Sequence, residues 1–188
     1  MKRLKAKSSE AKKQRKNQRT IGIILIVVMF GSVFGIIVNS FGSREDSKIE
    51  YNGFEFTRQG NFWALEIGDF DFIFTYNPNE VQEIETEVKF LNNYYRKPLY
   101  LSSENSGATS EIVSNLNQIS LRMQPACFTE SDCENDIPLK TCDDNFIIIE
   151  EKNQTNIIQE ENCVFIQGPQ ENLTQISDEF LFNILGVR

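Results

Sequence analysis

Four cysteines, Cys127, Cys133, Cys142 and Cys163, are the side chains of this sequence best suited to covalent chemistry. Their spacings of 6, 9 and 21 lack the paired C-x-x-C knuckles that grip a structural zinc ion. An even number of thiols in a domain that folds outside the cytoplasm points instead to disulfides. Histidine is absent from all 188 residues, so no Ser-His-Asp triad, Cys-His pair or imidazole metal site can be assembled. Any catalysis left would rest on paired carboxylates, a Ser-Lys dyad or a lone thiolate. The sequence therefore predicts no catalytic residue, no cofactor and no metal ligand.

Three weaker patterns stand beside the cysteines. Asp132, Glu134 and Asp136 alternate as calcium ligands can, but Ile137 stands where an EF-hand loop requires glycine, and a solvated acidic loop is the simpler reading. The run Ser-Ser-Glu-Asn-Ser-Gly-Ala-Thr-Ser at 102–110 superficially looks like a phosphate loop. It lacks the Gly-x-x-x-x-Gly-Lys signature, and Glu104 would repel a phosphate. Asn153-Gln-Thr and Asn172-Leu-Thr are glycosylation sequons, the first in a predicted loop and the second at a predicted helix start.

Charge and hydropathy divide the chain. Nine Lys/Arg against Glu10 give the first 20 residues +8, which leaves −16 for the rest of a chain whose total is −8. A carboxylate-rich domain repels phosphate backbones, so nucleic acid is excluded as its partner. Residues 21–38 hold no charge and one hydroxyl. Roughly 20 apolar residues cross a bilayer, and a soluble amphipathic helix would show a polar face that this run lacks. A cleaved signal peptide has a shorter apolar region, so an uncleaved anchor is the preferred reading over cleavage near Ser40 or Gly42. Nine Lys/Arg before the run against Arg44, Lys48 and Arg58 in the twenty residues after it place the amino terminus in the cytoplasm and the domain outside. The expected organisation is a basic cytoplasmic tail at 1–19, a transmembrane helix at 20–40, a linker at 41–48 and an extracytoplasmic domain at 49–188. Gly31 and Gly35, four apart, would let two such helices pack closely into a homodimer.

The elements of the outer domain follow from periodicity. Asn52-Gly53 between alternating residues signals a hairpin. Turns at Gly60 and Gly68, with Trp63, Leu65, Ile67 and then Phe70, Phe72, Phe74 at period two, extend it to an antiparallel meander. Asn77-Pro78-Asn79-Glu80 reads as a helix start, and Val81, Ile84, Val88 and Leu91 continue at helical spacing, with a short helix followed by a strand at 88–91 as the alternative. A strand at 98–102, a helix carrying Ile112, Val113, Leu116, Ile119 and Met123, and a strand at 146–149 would make a βαβ crossover. A hairpin at 157–158 and 164–166 follows. Leu173, Ile176, Phe180, Leu181, Ile184 and Leu185 form the stripe of a last helix, with Asn172 as its cap and Gly186 past its end. The fold class is α/β (mixed α+β).

Four cysteines allow three pairings. If the strands at 146–149 and 164–166 are parallel neighbours, Cys142 and Cys163 enter them at the same end, which favours Cys142 with Cys163 and Cys127 with Cys133.

The run from Cys133 through Pro138 to Cys142, then Asn162-Cys-Val-x-Ile-x-Gly168, then Asp178-x-x-Leu181 ending in Leu185-Gly-Val, resembles uncharacterised membrane-anchored proteins of archaea. The resemblance covers most of the outer domain. It implies a membrane anchor and a cysteine-bearing outer domain, and it brings no activity with it. The function expected is a membrane-anchored binding or scaffolding domain at the cell surface, with the lipid bilayer and a protein as partners; the alternative is a surface enzyme using carboxylates.

Overall fold

A computed structural model of the chain describes residues 47–129, 133 and 136–188. The basic tail, the apolar run with Gly31 and Gly35, and nearly all of the linker lie outside the described residues, as do Asp132 and Glu134 of the acidic loop. Among the described residues no helix is long and apolar enough to cross a membrane.

The first four strands, β1 (Lys48–Tyr51), β2 (Phe54–Gln59), β3 (Phe62–Ile67) and β4 (Phe70–Phe74), form the antiparallel meander in the order expected. Asn52 and Gly53 hold φ of 47° and 84°, the two positive values that a tight hairpin turn demands and that Asn-Gly tolerates best. Alternation then sorts the sheet into a face carrying Phe56, Trp63, Leu65, Phe72 and Phe74, all buried, and a solvent face on which Phe62 and Ile73 are exposed.

A second sheet takes the order β6-β5-β7-β9-β8 from β5 (Pro98–Ser103), β6 (Arg122–Pro125), β7 (Phe146–Glu151), β8 (Asn156–Glu160) and β9 (Cys163–Gly168). Its first four strands are parallel and β8 is antiparallel to β9. Helices α1 (Ser106–Leu116) and α2 (Leu173–Ile184) lie between the sheets. The face toward them carries Leu99, Leu101, Ile147, Ile149, Val164 and Ile166 in the main core. The opposite face carries Tyr100, Phe146, Ile148 and Cys163 packed with Ala126, Phe128 and Cys142, in a core of its own. On the meander side, Phe182 of α2 meets the rings of Phe56 and Phe74 at 5.8 and 4.7 Å between centroids. Because α2 is covered by both sheets, Ser177, Asp178 and Glu179 are buried along with its apolar stripe.

Three expectations are corrected. Residues 77–80 make the bonds of a helix start: Asn79 N–H donates to Asn77 Oδ1 at 2.8 Å, and Asn77 N–H to Glu80 Oε2 at 2.9 Å. No helix follows. From Glu83 to Lys89 the exposed Glu83, Glu85 and Glu87 alternate with half-buried Ile84, Thr86 and Val88. That is the period of an extended chain, and only the single turn Leu91–Asn93 ends it. The crossover from β5 through α1 returns to β6, not to β7, so Met123 belongs to a strand and α1 ends at Leu116. Asn172 makes no side-chain cap; it closes the short turn Gln170–Asn172 ahead of α2. At the other end Gly186, with φ 73°, does what its position implied. Its N–H donates to Asn183 O at 3.1 Å and that of Val187 to Phe182 O at 2.9 Å, the two bonds of a Schellman closure.

Candidate functional site

The carboxyl ends of β5, β6 and β7 open into a cleft of about 650 Å³, roofed by residues from the cysteine segment such as Phe128 and Ile137. Ligands of open parallel sheets settle at this end, because there the strands give way to loops that must diverge. Three carboxylates, Glu104, Glu150 and Glu151, line it. Glu150 is tied down, accepting from Gln167 Nε2 at 2.9 Å with Lys152 Nζ at 3.5 Å. The amino end of α1 also faces it, but this is no phosphate loop. Asn105 Oδ1 already accepts from Ala108 N–H at 2.8 Å. Gly107 is small for packing: a Cβ there would stand 2.5 Å from Thr174 Oγ1 on α2.

The cysteines position the roof. They pair as Cys127–Cys133 and Cys142–Cys163, with Cα atoms 5.4 and 4.8 Å apart. The register Phe146↔Cys163 makes β7 and β9 parallel neighbours, so the chain entering β7 passes the start of β9 and the second bridge closes there. The sequons are placed unequally. Asn153 is exposed in the turn between β7 and β8, whereas Asn172 is half-buried and Thr174 of the same sequon packs toward Gly107. Among the described residues no group of three or more Cys, Asp or Glu is arranged to hold a metal ion.

Two constellations escaped sequence reasoning. On the outer face of the second sheet, Arg122 Nη2 donates to Tyr100 OH at 3.0 Å, and Lys140 Nζ lies 4.2 Å from the centre of the same ring while pairing with Asp144 at 3.1 Å. The hydrogen bond from Lys140, helped by Arg122, holds the Tyr100 phenol below its ordinary value. The phenol and then Asp144 hold Lys140 above its own. Forty residues separate Tyr100 from Lys140, and only the fold joins them.

The second is a carboxyl pair at the contact of α1 with α2. Asp178 is fully buried and Glu111 is 7% exposed. Asp178 Oδ2 accepts from Tyr76 N–H at 2.9 Å, and Glu111 Oε1 accepts from the Thr75 hydroxyl. Asp178 Oδ1 has no fixed donor. Its neighbour is the Glu111 carboxyl, which it can bond only through a shared proton. Burial, then the charge of Glu111, pushes Asp178 well above the usual carboxylate range. Close by, Glu179 binds the guanidinium of Arg188, which also reaches Tyr51 OH at 3.1 Å and Pro78 O. Burial raises the Glu179 carboxyl in spite of that cation. A signal for Asp178 and Glu179 was present: the unbroken Phe180-Leu-Phe182 leaves α2 no solvent face, so its acids had to be buried; Glu111, on α1, gave none. None of the three lines the cleft.

No known protein family, curated protein or solved structure matches the chain.

Proposed function

We propose that this chain is a single-pass membrane protein whose acidic α/β domain stands outside the cytoplasm and binds or scaffolds a partner at the cell surface, in the manner of the archaeal proteins it resembles. The observation that carries the binding reading is the cleft at the carboxyl ends of the parallel strands, held open under a disulfide-tethered roof. The two bridges favour an oxidising compartment, and the nine Lys/Arg ahead of the apolar run favour that orientation. The helix at 20–40 anchors the domain, and Gly31 and Gly35 pair it with a second copy.

Protease added to intact cells tests the placement: it digests the chain beyond residue 41 and spares the tail, whereas loss of the tail with the domain shielded reverses the topology. Crosslinking on cells, followed by purification in detergent, tests the function. A partner recovered with the native chain and lost from a Ser102→Trp variant, whose indole fills the cleft, fits the reading. An identical set of copurifying species from both would refute it.

A further inference from the structure

The meander has two unlike edges. Along β4 the Asn115 amide takes both backbone groups of Ile73, accepting from its N–H and donating to its O, each at 2.7 Å, and so closes that side. β1, by contrast, pairs with β2 and, among the described residues, with no other strand. The hydrogen-bond phase of β1 is fixed at both ends. The Asn52-Gly53 turn closes on the pair Tyr51↔Phe54, and Arg58 N–H donates to Ser47 O at 3.0 Å. Bonded and non-bonded pairs alternate along an antiparallel ladder, so residues 47, 49 and 51 turn their peptide groups to β2, while Lys48 and Glu50 turn theirs to the outer side.

The side chains of the same two residues lie on the solvent face, and Ile49 between them packs against the main core. Glu50 stands directly opposite Glu55, a like-charge pair that costs stability. The registers of β2 with β3 and of β3 with β4 continue that row through Glu66 to Asp71, so carboxylates cross the whole sheet side by side. Lys48 Nζ binds Glu55 at 2.7 Å, whereas Glu50 has no ion pair among the described residues. The outer end of the acid row therefore lacks a cation where the sheet edge is open.

We propose that β1 pairs antiparallel with β1 of a second copy about a two-fold axis at Ile49, joining two four-stranded meanders into one sheet; this deepens the membrane-anchored reading and rests on it for the tether. In that register Lys48 of each copy stands opposite Glu50 of the other, so the outward N–H and C=O groups bond in pairs and each acid row gains the lysine it lacks. The neighbouring registers that keep the bonds in phase set Lys48 against Lys48 or Glu50 against Glu50. Charge thus selects one alignment, and it is self-complementary, as a two-fold contact must be. With β4 closed by Asn115, the sheet stops at the dimer. So short an edge holds weakly by itself. Residues 39–47 tie it to the apolar run and reach about 30 Å at most, so spans packed through Gly31 and Gly35 would hold the two strands at an effective concentration on the order of millimolar.

The test uses the full-length chain in membranes, with cysteines introduced along β1, a mild oxidant, and dimer read on non-reducing gels. Facing residues of a non-hydrogen-bonded pair have Cα atoms about 4.5 Å apart, within disulfide reach. Ile49→Cys should therefore crosslink, and Lys48→Cys or Glu50→Cys, each facing a different position of the other copy, should yield about tenfold less. Added to Ile49→Cys, Lys48→Glu or Glu50→Lys alone should cut the crosslink about tenfold, and the two together should restore it with the signs exchanged. Both are exposed changes, and the rescue shows that the chain still folds. Flotation of the same membranes reads the anchor separately. Crosslinking at position 49 with this charge pattern, in a chain that fails to float, would leave the strand pairing standing and remove the anchor. No crosslink at position 49, a crosslink indifferent to the single reversals, or no rescue by the exchange would overturn the proposal.

Discussion

Removing the titratable acid from the buried carboxyl pair by Asp178→Asn should flatten the dependence of stability on pH. In the folded chain Asp178 is held above its ordinary value by burial and by Glu111, and it faces Glu111 and Thr75 with the Tyr76 amide on its other oxygen. In the unfolded chain it titrates near the ordinary aspartate value of 3.8. Between those two values the folded state keeps a proton that the unfolded state has released. Its contribution to stability is therefore complete below about pH 4, falls as pH rises, and is gone above the folded value. One proton sets the steepest slope, about 1.4 kcal/mol per pH unit. The asparagine keeps an acceptor for Tyr76 and offers an N–H to Glu111 in place of the shared proton, so the geometry survives. Urea unfolding of both proteins across pH 4 to 9 measures the difference, in which all other groups cancel. The variant should gain on the native protein as pH rises, and Glu111→Gln should weaken the pH dependence only in part, because it removes the neighbouring charge but leaves Asp178 buried and titratable. Parallel stability–pH curves for native protein and variant would show that no proton is shared.

Arg188→Ala should cost about 3 to 5 kcal/mol in urea unfolding, because it strands the buried Glu179 carboxylate; Glu179→Gln added to it should recover part of the loss, and equal stability of the single and double variants would contradict this. Asn115→Leu should cost about 2 to 4 kcal/mol, since its amide meets both Ile73 N–H and Ile73 O at 2.7 Å and so closes the β4 edge; a variant within half a kcal/mol of native would refute that role. Reduction of the bridge closing the 21-residue separation from Cys142 to Cys163 should lower stability by about 3 kcal/mol, whereas four alkylatable thiols in the native protein would remove the oxidised state from the account. Gly31→Leu with Gly35→Leu should reduce crosslinked dimer in membranes, and a dimer that persists would move the contact to the outer domain.

The sequence by itself determined whatever depended on neighbours along the chain. Alternation of Phe70, Phe72 and Phe74 decided the inner face of the meander, Asn52-Gly53 decided its first turn, and Gly186 decided the end of α2. The cysteine pairing was legible too, because two parallel buried strands bring Cys142 and Cys163 to one end. The extended course of residues 83–89 was also written in the alternation of glutamates, but the strong local signal at 77–80 hid it. That signal makes its bonds whatever follows, whereas a helix continues only if tertiary contacts bury one of its faces. Tertiary structure alone decided that β6 and β7 lie on opposite sides of β5, since a crossover may return to either neighbour at little local cost. It alone joined Tyr100 with Arg122 and Lys140, and Glu111 with Asp178. The energies of such contacts depend on the solvent excluded around them, and that is set by both sheets closing over the helices rather than by any stretch of chain.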